Sequence, residues 1–112
     1  MIARIWRGRT PQSKAAEYVK YIEQTGVAEY RQTPGNRAVL ILTQENAAKT
    51  ETEFLVLTLW DSLDSIRAFA GANVEAAKYY PEDARFLLNF EPKVNHYELP
   101  IAVIEPGTGA KP

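Results

Sequence analysis

The hydrophobic pattern changes its period in the middle of the chain, between residues 54 and 71. From Phe54 to Trp60 apolar residues occupy both sides of a period-two pattern, which predicts a strand buried on both faces. Ser62 then has the properties of a helix N-cap and Gly71 those of a helix end. Between them runs an apolar stripe of Leu63, Ile66, Phe69 and Ala70. A chain this short has little else to cover the second face of that strand, so we expect a second copy of the chain to cover it.

The same reasoning extends to the rest of the chain. Strands are predicted at Ile2–Arg7, Arg37–Gln44, Glu51–Trp60 and Lys93–Leu99. The first helix is predicted to start at Thr10-Pro11, to run through Ile22 and to be kinked or divided near Gly26. After Gly71, a helical stretch is expected at Val74–Tyr80 and a short last helix from Pro81 to Leu88.

The element order is therefore strand, helix, strand, strand, helix, strand. This order predicts an α+β fold of the ferredoxin-like split βαβ type, with a four-stranded antiparallel sheet and both long helices on one face. We expect residues 1–104 to form a single domain and residues 105–112, which are rich in glycine and proline, to form a flexible tail.

Strand alternation also assigns residues to the two faces of the sheet. In one register the helices cover Ala3, Ile5, Leu55, Leu57 and Leu59 together with Tyr97 and Leu99. The open face then carries Arg4, Trp6, Phe54, Val56, Thr58 and Trp60 together with His96 and Glu98. A shift of one residue exchanges the two faces.

Composition excludes several classes of function. The 112 residues are 46% hydrophobic and 24% charged with a net charge of -1, so neither nucleic acid nor a membrane is expected as a partner. There is no cysteine and only one histidine, so no metal site is expected within one chain. The chain starts Met1-Ile-Ala-Arg-Ile-Trp without a signal-peptide pattern, and we expect it to be cytoplasmic.

Three segments resemble the antibiotic biosynthesis monooxygenase (ABM) family of dimeric α/β barrels. They are Leu59-Trp60-Asp61-Ser62, the stretch Ala72–Ala77 and the closing strand Val94–Glu98. The resemblance implies a homodimer in which two sheets pack face to face through their open faces, with a pocket in each subunit between sheet and helices. Members of that family include cofactor-independent oxygenases of electron-rich phenols, haem-degrading enzymes and proteins without a known activity.

The haem-degrading branch of the family is not matched by the residues of this chain. That branch places an axial histidine where this chain has Tyr79, and a tryptophan where it has Phe69. It also has an asparagine on the first strand, where this chain has none. We therefore expect no haem and no other cofactor.

Oxygenation without a cofactor requires a proton acceptor, a dry aromatic pocket and donors that stabilise an anion. His96 is the candidate catalytic residue, because its ordinary pKa lies near neutrality. The candidate substrate-binding residues are Trp6, Trp60, Phe69, Tyr79, Tyr80 and Arg4. Each also has a purely structural interpretation: His96 as a hydrogen-bonded strand residue, for example, and Trp60 as core or dimer filler. The acidic pairs Glu51/Glu53 and Glu82/Asp83 are predicted to be solvated charges.

Two hypotheses about function follow. The first is a cofactor-independent monooxygenase that acts on small aromatic or quinol-type substrates in a homodimeric α/β barrel. The alternative is a non-catalytic dimeric α/β barrel protein that binds a small apolar ligand. The position of His96 helps to separate them, since the enzyme requires it near a cavity.

Overall fold

The computed structural model describes residues 1–105, so the predicted tail lies outside the described residues except for its first position. The chain forms a sheet of four strands: β1 (Ile2–Pro11), β2 (Asn36–Glu45), β3 (Glu51–Trp60) and β4 (Asn95–Glu98). Their order in the sheet is β2-β3-β1-β4, and every neighbouring pair is antiparallel. The predicted α+β ferredoxin-like fold is confirmed.

The first helical region is divided, as predicted. A 3-10 turn at Gln12–Lys14 leads into α1 (Ala15–Ile22), a π-helical turn follows at Glu23–Val27, and α2 (Ala28–Gln32) completes the region. Gly26 is buried inside the π-helical turn. The predicted helix start at Thr10-Pro11 is wrong, because both residues still belong to β1 and pair with Thr52 and Glu51 at the end of β3.

The second helix, α3 (Leu63–Ala70), has the predicted ends. The hydroxyl of Ser62 accepts a hydrogen bond from the backbone N–H of Ser65, which satisfies a donor in the first turn. Gly71 ends the helix with φ 90°, a conformation that favours glycine. Ile66 and Phe69 of its apolar stripe are buried against the sheet.

Residues 72–94, called here the connecting segment, contain neither of the two predicted helices. Their only helical piece is a 3-10 turn at Asp83–Arg85. The guanidinium of Arg4 on β1 donates hydrogen bonds to the carbonyl oxygens of Val74 and Ala76. In a helix these oxygens would instead accept bonds from backbone N–H groups of the following turn. The backbone instead forms a single bridge between Ala76 and Lys93.

The face assignment made from the sequence is exchanged in the structure. The helices cover the side that carries Arg4, Trp6, Phe54, Val56, Thr58 and Trp60, all of which are buried. His96 lies on this side too, because it pairs directly with Arg4 across β1 and β4. The alternation itself was right, but the large aromatic side chains fill the space beneath the helices and the leucines take the other face.

The opposite side, called here the open face, has an apolar surface of Ile5, Leu40, Leu42, Leu55, Leu57 and Tyr97. Leu40 and Leu42 are each 47% exposed and Tyr97 is 51% exposed. Leu40, Leu57 and Ile5 form one row across three neighbouring strands.

Within residues 1–105 no helix combines the length and the apolar character needed to cross a membrane.

Candidate active site

A small cavity of about 40 Å³ lies between the helix-covered side of the sheet, the first helical region and the connecting segment. Four aromatic rings form much of its wall: Trp6, Tyr18, Tyr30 and Tyr80. The remaining lining residues are Ile22, Thr25, Gly26, Val56, Lys78 and Asp83. A cavity of this size has room for one or a few water molecules. A substrate ring enters only if part of the wall moves.

Gly8 allows Trp6 to form its part of this wall. A Cβ atom on Gly8 would lie 2.3 Å from Cη2 of Trp6, so any side chain there would displace the indole ring. The indole N–H of Trp6 points to the Tyr79 hydroxyl, 3.4 Å away, and the two rings meet edge to face. The Tyr79 hydroxyl in turn donates to the carbonyl of Glu91 at 2.5 Å. Tyr79 therefore supports the Trp6 wall from outside the cavity.

Asp83 places a carboxyl group on the cavity wall. Its side chain is 4% exposed, one oxygen accepts from the Tyr18 hydroxyl at 3.1 Å, and the other accepts from the Tyr80 N–H at 2.6 Å. No Lys, Arg or His side chain within residues 1–105 forms an ion pair with it. Burial raises the pKa of Asp83, although both hydrogen bonds oppose that shift. The prediction that Asp83 is a solvated charge is therefore wrong.

The tyrosines around the cavity are held in their neutral form. Burial raises the pKa of Tyr30 to about 12. It also raises the pKa of Tyr18, where the charge of Asp83 adds to the effect, and the pKa of Tyr80, where a hydrogen bond to Glu29 adds to it. At neutral pH these hydroxyls are therefore hydrogen-bond donors and not bases.

Glu29 of α2 ties the connecting segment to the first helical region, an arrangement called here the Glu29 latch. Its carboxylate accepts from Lys78 Nζ at 2.5 Å and from the Tyr80 hydroxyl. Lys78 also donates to the carbonyl of Phe69 at 3.1 Å. Burial alone would raise the pKa of Glu29, but the bonds from Lys78 and Tyr80 lower it below its ordinary value. The latch is therefore ionised at neutral pH and holds Tyr80 over the cavity.

Arg4 and His96 form a pair on the same side of the sheet. Arg4 is 3% exposed and donates to the carbonyls of Val74 at 2.5 Å and Ala76 at 3.0 Å. Its Nη1 lies 3.3 Å from Nε2 of His96. Because a guanidinium can only donate, Nε2 accepts and the ring proton is on Nδ1. No carboxylate within the described residues forms an ion pair with Arg4.

Burial and, after it, the charge of Arg4 lower the pKa of His96, so the ring is neutral at neutral pH. Burial also lowers the pKa of Arg4, but a guanidinium keeps its charge at neutral pH. The pair thus provides a fixed positive charge and a ring N–H donor. A base at Nε2 would first have to release Arg4.

The structure brings some of the sequence-predicted residues together at the cavity and places others elsewhere. Trp6 and Tyr80 line it, and Tyr79 contacts Trp6. Trp60 and Phe69 pack in the core with ring centroids 5.9 Å apart, and the Trp60 N–H donates to Thr58 at 2.8 Å. The catalytic and binding roles of all these residues stay predictions.

Five residues at or beside the cavity were not singled out by sequence reasoning: Tyr18, Glu29, Tyr30, Lys78 and Asp83. Tyr18 and Tyr30 lie in the first helical region, on either side of Gly26. Asp83 follows Tyr79-Tyr80-Pro81-Glu82 in an irregular segment, where no periodicity marks a residue as buried. Its burial depends on the long-range contact with Tyr18 of α1.

The residues do not fit a haem site of the type described for the haem-degrading branch. Tyr79 stands in the axial position, but its hydroxyl is bonded to Glu91 and burial raises its pKa, which disfavours the tyrosinate that would bind iron. Phe69 is buried in the core, and β1 has no asparagine. Within residues 1–105 no group of three or more acidic or histidine side chains is arranged to hold a metal ion.

Comparison with solved structures finds the same fold in two proteins. One is a Bacillus cereus protein proposed to be an antibiotic biosynthesis monooxygenase, with a TM-score of 0.60 and 12% identity over 93% of this chain and 97% of that chain. The other is a point mutant of MhuD with two manganese protoporphyrin IX molecules bound per active site, with a TM-score of 0.58 and 13% identity over 94% of this chain and 100% of that chain. No protein-family model and no curated protein sequence matches the chain. The likeness in fold supports the resemblance to the ABM family at the level of architecture.

Proposed function

We propose that this protein is a homodimeric oxygenase that oxidises a small phenolic or quinol-type aromatic compound with dioxygen. The observation that carries the proposal is the cavity itself, in which four aromatic rings surround a buried carboxyl group. Aromatic walls favour a flat ring, and a carboxyl group of raised pKa suits proton exchange with a phenol. The fold shared with a proposed monooxygenase is consistent with this chemistry.

In the proposed reaction the substrate supplies the electrons, which is why no cofactor is required. An anthrone serves as the example. The enol tautomer of the anthrone loses its hydroxyl proton to give an enolate, which transfers electrons to dioxygen and forms a carbon–oxygen bond. The resulting peroxide anion takes up one proton to give a hydroperoxide, which loses water to leave the carbonyl. One atom of dioxygen enters the product and the other leaves as water.

Several side chains acquire roles in this proposal. Trp6 and Tyr80 stack against the ring, with Tyr79 holding the Trp6 indole in place. Arg4 does not line the cavity, so it would stabilise the anionic oxygen through its buried charge and not through a hydrogen bond. His96 does not line the cavity, and its role in this proposal is to orient Arg4, from which its Nε2 accepts a hydrogen bond. Trp60 and Phe69 support the site from the core.

The cavity of about 40 Å³ is too small for an aromatic ring, so substrate entry involves movement of part of its wall, for which the connecting segment is our candidate. The Glu29 latch is one of the contacts that oppose this movement, together with the hydrogen bonds from Tyr18 to Asp83 and from Arg4 to Val74 and Ala76. Its partly exposed ion pair contributes about 1 kcal/mol or less.

The proposed dimer forms through the open face. Leucines that are nearly half exposed in one protomer would be covered by the same residues of its partner, since a two-fold interface places the same patch on both subunits. A single sheet with an apolar surface on its uncovered side is unfavourable in water. The exposed apolar side chains of Ile101, Val103 and Ile104 follow β4 in the sequence, and we propose that they extend this contact.

A second candidate function is binding without catalysis. Two observations favour this alternative: the small volume of the cavity limits what can enter, and the Arg4 contact on His96 Nε2 weakens that nitrogen as a base. The two functions share the ligand class and differ in oxygen consumption.

Oxygen uptake by the purified protein, with a chelator present, separates them. The substrates are a panel of anthrones and hydroquinones, and binding is followed in parallel through tryptophan fluorescence, because Trp6 lines the cavity. Uptake well above the spontaneous rate would support the oxygenase. Saturable binding with no uptake would support the binding protein, and the absence of both would overturn the aromatic-ligand proposal.

A further inference from the structure

The proposed oxygenase needs a group that removes the substrate proton, and the structure offers an unassigned candidate. We propose that Asp83 is this catalytic base, taking the proton of a phenolic or enolic hydroxyl bound in the cavity. The inference rests on the proposed function for its reaction, but the proton-accepting role can be tested without oxygen chemistry.

The geometry selects Asp83 from the carboxylates around the site. It lines the cavity and is 4% exposed, and its oxygens accept two hydrogen bonds. An ionised carboxylate has about four acceptor positions. Acceptor capacity therefore remains for a substrate hydroxyl. Glu29 is less suited, because it does not line the cavity and its ion pair with Lys78 holds it ionised.

His96 is less suited to the same task. Its Nε2 faces Arg4 at 3.3 Å, and the ring does not line the cavity. His96 therefore acts on the substrate anion only through Arg4. Asp83, on the connecting segment, lines the cavity itself.

In the proposed reaction Asp83 accepts one proton from the substrate and later returns it. The substrate O–H bond breaks, an O–H bond to the carboxylate forms, and the electron pair stays on the substrate as an enolate. After dioxygen has added, the protonated Asp83 returns its proton to the peroxide oxygen. Loss of water from the hydroperoxide then gives the carbonyl product, and Asp83 is again a carboxylate.

The tyrosines that face Asp83 keep their protons at neutral pH, so they do not titrate together with its carboxyl group. Tyr18 of α1, Tyr30 of α2 and Tyr79 and Tyr80 of the connecting segment face it, and the pKa of each is raised. They therefore stay neutral below pH 9.

The nearby charged groups are paired with one another: Lys78 with Glu29, and in the adjacent turn Arg85 with Glu82. Burial raises the pKa of Asp83 and lowers the pKa of His96, while Arg4 stays protonated. A His96→Gln variant separates the titration of Asp83 from that of His96.

Two measurements on Asp83→Asn test the proposal, with Tyr18→Phe as the matched control. The control removes a hydrogen bond to Asp83 and keeps the carboxylate. Oxygen uptake with the best substrate should fall by about 10²-fold or more in Asp83→Asn, the range expected for loss of a general base. The acidic limb of the pH–rate profile should be absent in Asp83→Asn and present in Tyr18→Phe. Asp83→Glu should restore part of the rate that Asp83→Asn loses. Uptake by a folded Asp83→Asn within about threefold of the native rate, far less than loss of a general base causes, would overturn the proposal.

The second measurement follows the ionisation of bound para-nitrophenol by its absorbance. A hydroxyl bonded to a carboxylate ionises at higher pH, because two anions would then meet. The bound dye should therefore ionise at higher pH in the native protein and Tyr18→Phe than in Asp83→Asn. Equal midpoints in all three proteins, or no binding at all, would overturn the role of Asp83. A shifted midpoint without oxygen uptake by any protein would support Asp83 as a proton acceptor and refute the oxygenase.

Discussion

Replacing Gly8 with alanine should push the indole of Trp6 out of the cavity wall. The new Cβ would lie 2.3 Å from Cη2 and 2.7 Å from Cζ2 of that ring, distances at which one of the two groups has to move. Gly8 belongs to β1, which is paired with β3, so its backbone is held on the sheet. The indole, which is 8% exposed in the native fold, is therefore the part that moves.

The magnitude follows from the area that the ring loses. A tryptophan buries roughly 150–250 Å², and at about 25 cal/mol per Å² exposing half of it costs about 2–3 kcal/mol. For a domain of this size each 1 kcal/mol shifts Tm by about 4–8 °C, so Gly8→Ala should lower Tm by roughly 10–20 °C. The hydrogen bond between the indole N–H and Tyr79 is lost in the same movement.

Urea unfolding followed by tryptophan fluorescence measures the loss of stability. The emission spectrum of the folded protein reports whether the Trp6 indole has become exposed. Gly26→Ala is the matched control, because a Cβ there meets Tyr30 and Tyr80 at 3.5 and 3.8 Å, which are ordinary contacts. The control should be neutral or more stable by about 0.5–1 kcal/mol, as expected for alanine in a helical position. A Gly8→Ala protein within about 0.5 kcal/mol of the native stability, a change typical of a neutral surface substitution, would refute this account of the wall if its emission spectrum is also unchanged.

Three further predictions concern the latch, the open face and His96. Glu29→Gln should lose about 1 kcal/mol or less of stability at neutral pH, and it should raise the stopped-flow association rate of an aromatic ligand. Because the pKa of Glu29 is lowered, that difference should fade as the pH drops below the ordinary value of 4.5; an unchanged association rate would contradict the latch. Leu40→Lys should convert a dimer into monomers in light scattering, whereas Val19→Lys, at a position of α1 that is 37% exposed, should not; a dimer in both variants would contradict this interface. His96 should titrate below pH 6.5 by NMR with its proton on Nδ1, so that its protonation removes stability as the pH falls below that value; a midpoint above 6.5 would contradict burial beside Arg4.

Local signals explain why much of the fold could be predicted from the sequence. The strands β2 and β3, the cap at Ser62, the end at Gly71 and the division at Gly26 each depend on residues within a few positions of one another. Such features are encoded by periodicity and by capping chemistry.

The predictions that were wrong concern features that depend on contacts between residues far apart in the sequence. Leucine and aromatic residues alternate on β3, and hydrophobicity alone does not decide which set faces the helices. The connecting segment has a helical pattern at Val74–Tyr80, but Arg4, some seventy positions earlier, takes its carbonyl groups.

The candidate site combines both kinds of information. Trp6 and Tyr80 were predicted from their aromatic character, and both line the cavity. Asp83 was interpreted as solvated because an isolated Glu-Asp pair usually is, and only its long-range contact with Tyr18 shows that it is buried.

The central claim, that the protein adds oxygen to an aromatic ring system, is tested most directly with isotopically labelled dioxygen. The purified protein and a chelator are incubated with an anthrone, and the product is analysed by mass spectrometry against a protein-free control. The account predicts product formation well above the spontaneous rate, with one labelled oxygen atom in each quinone. Product formation at the spontaneous rate, or a quinone without label from an accelerated reaction, would contradict it.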